Sequence, residues 1–272
     1  MRKTIVCWLL LLPLIVTTLF PFAVMFFTAV KPLDEVLSAS PSWLPSHFAW
    51  ENFPAMWTEA HFGAALLNSC LVSAASMALV ILISVPAAYA LVRYQFRGRS
   101  QFQNFLLVSQ MLSPIVLVLG LFRLVVALHL LNSLAVVVLI YTAFNLPFGV
   151  WMLQSYFKSI PPDLEESAWL EGASRLRTIW DVFRPMAMPA VIVTAIFTFI
   201  AAWNEFVIAT TLLRDEDKYT LPIRVFAEGA GRYQVQWSYV MAAALLATVP
   251  VAIVFSFLQR YLVTGLGAGA VK

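Results

Sequence analysis

Residues 161–185 read PPDLEESAWLEGASRLRTIWDVFRP, and this polar stretch decides how the rest of the chain is interpreted. Pro161 and Pro162 followed by carboxylates are typical of a helix start, because proline fits the first turn and acidic groups favour the positive end of the dipole. Gly172 predicts the end of that helix, since glycine readily takes the left-handed conformation that closes one. We therefore expect two short helices joined by a turn.

The second of these helices is predicted to begin after Ser174, whose hydroxyl can cap it. Its apolar residues follow at helical spacing and form one stripe: Leu176, Ile179, Trp180 and Phe183. Long apolar stretches precede and follow residues 161–185, so the segment should lie at a membrane surface. The pattern alone allows two interpretations, an amphipathic helix that rests on lipid or a docking element for another protein.

The composition is that of an integral membrane protein. Of the 272 residues, 61% are hydrophobic and only 11% are charged, whereas soluble domains carry roughly a quarter charged residues. The two cysteines, Cys7 and Cys70, lie in apolar stretches without the spacing of a metal or redox motif. Neither a disulfide nor a metal site is predicted.

Six apolar stretches predict an all-α fold with six transmembrane helices and a helix-turn-helix segment at 161–185. Each exceeds the ~20 residues that cross a bilayer, and they lie at residues 4–30, 64–92, 102–128, 133–157, 186–213 and 237–263. The first is too long for a signal-peptide core and lacks a convincing cleavage site, so we interpret it as an uncleaved span. Pro114 is expected to kink the third span. A single membrane domain over residues 1–272 follows.

Basic residues are distributed unevenly between the two sides that six spans define. Eleven lie on the side of both chain ends and residues 161–185: Arg2, Lys3, Arg93, Arg97, Arg99, Lys158, Arg175, Arg177, Arg184, Arg260 and Lys272. Five lie in the opposite loops: Lys31, Arg214, Lys218, Arg224 and Arg232. Because cytoplasmic loops carry the excess of lysine and arginine, residues 161–185 and both termini are predicted to be cytoplasmic.

Several polar side chains lie within the predicted spans, where an uncompensated polar group is costly. Asn145, close to a proline, is predicted to interrupt the fourth span. The others are in the third and fifth spans: Gln110, Ser113, Asn204 and Glu205. For the amides we favour hydrogen bonds between helices. For Glu205 a structural and a functional role both stay open, because a carboxylate at this depth needs a cavity, a proton or a partner.

Residues 166–173, ESAWLEGA, with the proline at 185, resemble the EAA loop of ABC-importer permease subunits, whose usual form is E-A-A-x-x-x-G-A with a later proline. The chain departs from that form at Ser167, Glu171 and Arg184. In that family the loop is a coupling helix that docks into a cleft on a cytoplasmic ATPase subunit. The resemblance implies ATPase-coupling roles for Glu165, Glu166, Ala168, Gly172, Ala173, Leu176 and Pro185.

Further motifs resemble carbohydrate-uptake permeases of the maltose type. They are FTAVKP at 27–32, WENF at 50–53, WNEF at 203–206 and the ending QRYLVTGLGAGAVK at 259–272. The family implies a short, flexible cytoplasmic tail at 264–272 that contacts the ATPases, and the glycines there make an isolated helix unfavourable. With the polar span residues, the resemblance implies a substrate pathway at Gln110, Ser113, Asn145, Trp203, Asn204 and Glu205.

The loop at residues 214–236 is predicted to be external. In maltose-type importers the corresponding loop can reach into the docked binding protein, which implies contacts at Gly229, Gly231, Arg232 and Tyr233. A plain solvated turn explains these residues about as well.

The resemblance implies one of two membrane subunits of an ATP-driven importer in a bacterial or archaeal plasma membrane. A second permease chain, two P-loop ATPases and an extracytoplasmic binding protein are the expected partners, and a sugar-like solute would cross by alternating access. The sequence has no G-x-x-x-x-G-K-[ST] loop, so ATP and Mg²⁺ are expected on the ATPases, with no cofactor on this chain. Disaccharide, amino sugar and glycerophosphodiester all stay open as solutes.

Two other classes of protein compete with this interpretation. An intramembrane enzyme needs a nucleophile–base pair or a metal, but the histidines, at 47, 61 and 129, lie in loops or at a span end, so no catalytic residue is predicted. An ion-coupled secondary transporter would use Glu205 as its coupling carboxylate. It would leave residues 161–185 without a role.

Overall fold

The computed structural model describes residues 2–38, 42–59, 61–229 and 235–269, and all regular structure in these ranges is helical. The chain divides into two compact units. One comprises Met1–Leu67 with Tyr219–Val251, and the other comprises Asn68–Lys218 with Ala252–Lys272. The second unit contains residues 161–185.

The helices are, in chain order, α1 (Arg2–Ala29), α2 (Leu33–Val36), α3 (Asn52–Glu59), α4 (Phe62–Arg93), α5 (Arg99–Met111), α6 (Pro114–Ala127), α7 (Leu134–Phe157), α8 (Asp163–Leu170), α9 (Arg175–Thr178), α10 (Arg184–Trp203), α11 (Val207–Leu212), α12 (Leu221–Gly229) and α13 (Trp237–Gly269). A π-helical turn, Ile179–Phe183, joins α9 to α10, and Glu216–Lys218 form a 3₁₀ turn.

Five stretches of described helix are long and apolar enough to cross a membrane, and the pair α5–α6 makes a sixth if it counts as one span. The predicted third span at 102–128 is therefore not one kinked helix, because its halves meet at 96°. Leu112 and Ser113 are both extended between the halves. A residue before proline is pushed out of the helical region, and Pro114 then starts the next helix.

The bent pair α5–α6 carries the chain from one face of its unit to the other. Arg93, the last residue of α4, donates from Nη2 to the carbonyl of Ile160 just beyond α7 (3.1 Å), so α4 and α7 end at the same face. The 24 residues of α7 extend ~36 Å. Asn132, before α7, donates its backbone N–H to the carbonyl of Leu212 (2.9 Å) at the opposite face. The chain between Arg93 and α7 therefore passes once from one face of the unit to the other, which makes α5–α6 one candidate span and gives six candidate spans.

The fourth span is one unbroken helix, so the predicted interruption at Asn145 is wrong. Asn145 lies inside α7, and its Nδ2 donates to the carbonyl of Tyr141 (2.8 Å). Further along α7, Gly149 lies where the helix approaches α4 closely. A Cβ at this glycine would lie 2.8 Å from Val80 and 3.3 Å from the hydroxyl of Ser84. A side chain here would therefore force α4 and α7 apart.

The fifth span also differs from its predicted limits at 186–213. Its helix begins at Arg175 and runs through the π-helical turn into α10. It ends at Trp203, and α11 follows after a break of three residues. The segment at 161–185 is therefore continuous with a transmembrane helix at its C-terminal end, and it does not stop at Pro185.

In the first unit, Asn52 ties the external segment after α1 to the end of that helix. Its Nδ2 donates to the carbonyls of Ala29 (2.8 Å) and Lys31 (2.9 Å). The Lys31 carbonyl also accepts from the hydroxyl of Ser238 in α13 (3.0 Å). The segment after α1 contains α2 and α3, and the loop expected at 214–236 contains α12.

The glycines at 264–272 predict that no isolated helix forms there, and the described backbone instead continues α13 to Gly269. Glycine lowers helix propensity by ~1 kcal/mol. An existing helix nevertheless extends without the cost of a new nucleus, since each added residue makes one more hydrogen bond. The described part of the tail at 264–272 is thus helical.

Candidate functional site

The segment at 161–185, called the coupling segment below, begins with the predicted helix start. The Pro162 carbonyl accepts from the backbone N–H groups of Glu165 (2.9 Å) and Glu166 (3.1 Å). Together with Asp163, these residues place three carboxylates in the first turn of α8. They lie where the helix dipole favours negative charge.

Gly172 closes α8 as predicted, with φ +89°. Gly172 N–H donates to the carbonyl of Trp169, and Ala173 N–H donates to that of Ala168, both at 3.0 Å. This pair of bonds is the Schellman arrangement, which requires a left-handed residue at the position of Gly172. Ser174 then caps α9, and its hydroxyl accepts from Arg177 N–H (3.4 Å).

Glu165 anchors the coupling segment to the second span. Its carboxylate is 2% exposed and accepts from the Tyr89 hydroxyl (2.7 Å) and from Nε of Arg93 (2.6 Å). Tyr89 and Arg93 lie one turn apart on α4. The Glu165 side chain therefore points into its own unit, and its predicted ATPase-coupling role stays a prediction, which would act through α4. If the Glu165 side chain were exposed, Arg93, which is only 14% exposed, would lose its carboxylate partner.

A cluster of aromatic rings lies directly beneath this ion pair. Phe183 from the π-helical turn meets the rings of Phe157 (4.8 Å) and Tyr89 (4.9 Å) edge to face. The Arg93 guanidinium lies 5.6 Å from the centre of the Phe183 ring. Burial of these rings and their edge-to-face geometry both stabilise the contact. The coupling segment is thereby bonded to α4 and packed against the end of α7.

The opposite side of the coupling segment exposes large apolar side chains. Leu170 is 90% exposed and Leu176 72%, and Trp180 is also exposed beneath the guanidinium of Arg184 (4.7 Å). Among the other residues assigned to coupling, Glu166, Gly172 and Pro185 are exposed and Ala168 and Ala173 are half-buried. Contiguous exposed apolar side chains on a soluble surface mark an interaction site.

A second site lies at the bend of the third span. Gln110, Asn145 and Glu205 line one cavity of about 240 Å³, together with Tyr141 and Pro114. The other residues predicted for a substrate pathway do not line it. Ser113 occupies the turn before α6, Trp203 is buried and stacks on Phe199 (5.6 Å), and Asn204 donates to the Ile200 carbonyl (3.0 Å).

The Glu205 carboxylate is held within its own unit by three donors. The Tyr141 hydroxyl donates to Oε2 (2.6 Å), and the backbone N–H groups of Ile208 and Ala209 donate to the carboxylate at 2.8 and 3.1 Å. Glu205 therefore caps α11 across the break in the fifth span. This network supplies the partner that a carboxylate at this depth requires.

Of the predicted binding-protein contacts, Gly229 is the last residue of α12. The other three, Gly231, Arg232 and Tyr233, lie outside the described residues. In the same helix, the buried Arg224 lies 3.9 Å from Glu228 and 5.3 Å from the centre of the Tyr219 ring.

Residues 80–267 match a family described as "Binding-protein-dependent transport system inner membrane component". The chain belongs to this family. It is a permease, and the matched residues include the coupling segment, the last part of α4 and the whole of α7.

Named relatives of this permease extend the comparison over most of its length. The diacetylchitobiose uptake system permease protein DasC of Streptomyces coelicolor is 32% identical over 265 residues, which are 95% of this chain and 94% of DasC. The trehalose/maltose transport system permease protein MalG of Thermococcus litoralis is 37% identical over 212 residues, 78% and 76% of the two chains.

The fold of the permease matches that of a solved transporter. A bacterial ABC transporter involved in the import of the acidic polysaccharide alginate aligns over 96% of both chains, with a TM-score of 0.78 and 23% identity. A second structure, of a bacterial alginate ABC transporter with its pentasaccharide-bound periplasmic protein, gives a TM-score of 0.69 at 15% identity. At this identity the likeness shows the shared fold.

Sequence reasoning missed the residues that hold the coupling segment in place. Arg93 counted only as a cytoplasmic charge and Tyr89 was not considered, although their i, i+4 spacing puts both on one face of α4. Their partner Glu165 is 72 residues from Arg93 along the chain. The local pattern around Glu165 indicates a helix start and carries no information about that partner.

Proposed function

We propose that this permease imports a carbohydrate or sugar-like solute by alternating access, in a complex with a second, similar permease chain and two P-loop ATPase subunits. An extracytoplasmic binding protein delivers the solute. The names of two relatives, for diacetylchitobiose uptake and for trehalose/maltose transport, support the carbohydrate class. ATP and Mg²⁺ bind to the ATPases, and this chain acts without a catalytic site.

The two-sided construction of the coupling segment is the observation that carries this proposal. One side is bonded to α4 through Glu165 and Arg93, and the other exposes Leu170 and Leu176. An ATPase that binds the exposed side would move the coupling segment, which is attached to the membrane helices α4 and α7. Tighter binding of ATP to the closed ATPase dimer would then shift the permease between its two states. Glu166 contributes a polar contact, and Gly172 sets the angle between the helices.

The orientation follows from the charges. Arg93, Lys158 and Arg184 lie around the coupling segment, so we assign this face, both termini and the end of α13 to the cytoplasm of a bacterial or archaeal cell. The binding protein is then expected on the extracytoplasmic side. Gly229, Gly231, Arg232 and Tyr233 remain our candidates for its contact.

For the solute pathway we favour the cavity that Gln110 and Asn145 share. Its amides can exchange hydrogen bonds with hydroxyl groups. Ser113, Trp203 and Asn204 are the weaker candidates, since they do not line this cavity. Glu205 contributes its oxygens to the cavity wall while it caps α11.

The proposal is tested by purifying the permease with its partners from cells that express all components. A tag at the N-terminus should retain an ATPase, and reconstituted vesicles should take up maltose, trehalose or diacetylchitobiose only with ATP and the binding protein. Uptake that follows a proton gradient without ATP would contradict the importer and favour a secondary transporter.

The docking face is tested with Leu170→Gln combined with Leu176→Gln. This variant should assemble with the second permease but lose most of the bound ATPase. Leu37→Gln, an equally polar change at an exposed leucine outside the segment, is the matched control. Full retention of the ATPase would show instead that this apolar face rests on lipid.

A further inference from the structure

A groove between α5 and α7 carries polar side chains that neither the coupling segment nor the ion pair uses. Its volume is about 200 Å³. The polar and aromatic side chains that line it are Gln103, Asn104, Gln110, Trp151, Gln154, Ser155 and Lys158. Gln110 also lines the cavity with Asn145 and Glu205, so the two spaces adjoin at this residue.

Gln154 is the residue that points to a ligand. It is 6% exposed, and its side-chain amide has no hydrogen-bond partner among the described residues. Its backbone is engaged in α7, and its carbonyl accepts from Lys158 N–H (3.1 Å). The amide atoms do not belong to the fully buried polar atoms that lack a partner among the described residues, so they are open to the groove, and water or a ligand can complete their hydrogen bonds. The Gln154 amide lines the groove, where a solute can reach it.

The lining of the groove indicates the chemistry of that solute. Three glutamines and an asparagine offer both donors and acceptors, which suits hydroxyl groups. Trp151 is half-exposed and presents an aromatic surface with one N–H donor. Lys158 is the single charged group of the lining, and no carboxylate faces it there. These features favour a hydroxyl-rich molecule over a cation.

The position of the groove relates it to the coupling segment. Gln154 lies one turn before Phe157, whose ring packs on Phe183 of the coupling segment. The groove therefore occupies the half of α7 next to that segment, whereas Asn145 lies more than two turns earlier in the same helix. A movement of the coupling segment would therefore displace the end of α7 before it displaces the part of α7 that contains Asn145.

We propose that the α5–α7 groove is a second binding station for the solute, occupied after the cavity at Asn145 and before release to the cytoplasm. Gln103 and Gln154 hold hydroxyl groups of a sugar, and Trp151 covers a ring. This inference rests on the proposed function, since it assigns a further site on the same pathway.

The test uses the complete transporter in vesicles, with maltose, trehalose and diacetylchitobiose supplied separately. Gln154→Leu and Gln103→Leu should each lower uptake about tenfold, a loss that one or two neutral hydrogen bonds explain. ATP hydrolysis stimulated by the loaded binding protein should persist. Gln101→Leu, the same change on an exposed residue of α5 outside the groove, should transport as the wild type does.

Thermal unfolding separates this role from a structural one. Since Gln154 has no partner in the described chain, Gln154→Leu should keep or raise the melting temperature while uptake falls. Wild-type uptake in both groove variants would overturn the inference. So would loss of the second permease from Gln154→Leu complexes, because the groove would then be a subunit contact. Absence of uptake by the wild type with all three sugars would overturn the proposed function and this inference with it.

Discussion

At the scale of single residues, Glu165 has the largest consequence for the coupling segment, because both oxygens of its carboxylate accept bonds from α4. Its neighbour Glu166 points outward and is exposed. Two adjacent carboxylates in one helical turn therefore differ entirely in environment. Removing them should have very different effects.

We expect Glu165→Ala to lower the stability of the permease by about 3–5 kcal/mol, because Arg93 keeps its charge in a mostly buried place. Glu166→Ala, on the exposed side, should change stability by about 0.5 kcal/mol or less. Adding Arg93→Leu to Glu165→Ala should recover part of the loss, since no unpaired charge remains. Thermal unfolding of the purified proteins measures all three, and equal melting temperatures for the two alanine variants would contradict the anchor.

Gly172 allows a second comparison at residue scale, because the chain contains a matched glycine. Gly98 has φ +91° against +89° for Gly172, and a Cβ at either position would meet no atom within 4 Å. Valine at each should therefore cost at least the roughly 1–2 kcal/mol of a left-handed L-residue. Only Gly172→Val should abolish ATP hydrolysis stimulated by the binding protein. If Gly98→Val uncoupled the transporter equally, general destabilisation would explain both effects.

At the scale of elements, the break between α10 and α11 shows how a helix interruption is satisfied inside the membrane. The Glu205 carboxylate accepts from two backbone N–H groups at the start of α11, which would otherwise lack partners. The Tyr141 hydroxyl from α7 completes the arrangement. The conformation of the fifth span thus depends on a side chain of the break itself.

We expect Glu205→Ala to lower the melting temperature, by the about 1–3 kcal/mol that a buried unsatisfied donor costs. Glu205→Gln should retain stability and uptake, because one amide oxygen can accept from both backbone groups and the amide nitrogen can donate to Tyr141. Melting curves and vesicle uptake are measured on both variants. A stable Glu205→Gln protein with altered transport would instead make the charge of Glu205 part of the pathway.

At the scale of the whole molecule, the bent pair α5–α6 decides how many times the chain crosses the membrane. If the pair crosses once, Arg97 and Leu130 lie on opposite sides, and both side chains are exposed. Arg97→Cys should then react with an impermeant thiol reagent from the cytoplasmic side and Leu130→Cys from the outer side. The native cysteines at 7 and 70 are replaced by serine in both variants. Labelling from one side only would make α5–α6 a re-entrant loop.

Much of the architecture was predictable because its causes are local. Long apolar stretches indicate membrane helices whatever packs against them. The closure of α8 at Gly172 and the cap at Ser174 depend on residues within one turn. The family resemblance at residues 166–173 rests on the same short stretch. Local rules failed to predict where a membrane helix is interrupted. Pro147 leaves α7 intact, whereas Ser113 and Pro114 turn the chain by 96°.

The sequence by itself determined the class of the protein and the limits of α8, because hydrophobicity, helix caps and glycine conformation act between near neighbours. Only the tertiary structure decided which way each polar side chain faces. The Glu165 side chain faces inward because its partners Arg93 and Tyr89 lie on another helix. The Gln154 amide has no partner in the described chain because it lines the groove between α5 and α7. Such pairings join residues far apart in the chain, and no short-range pattern carries them.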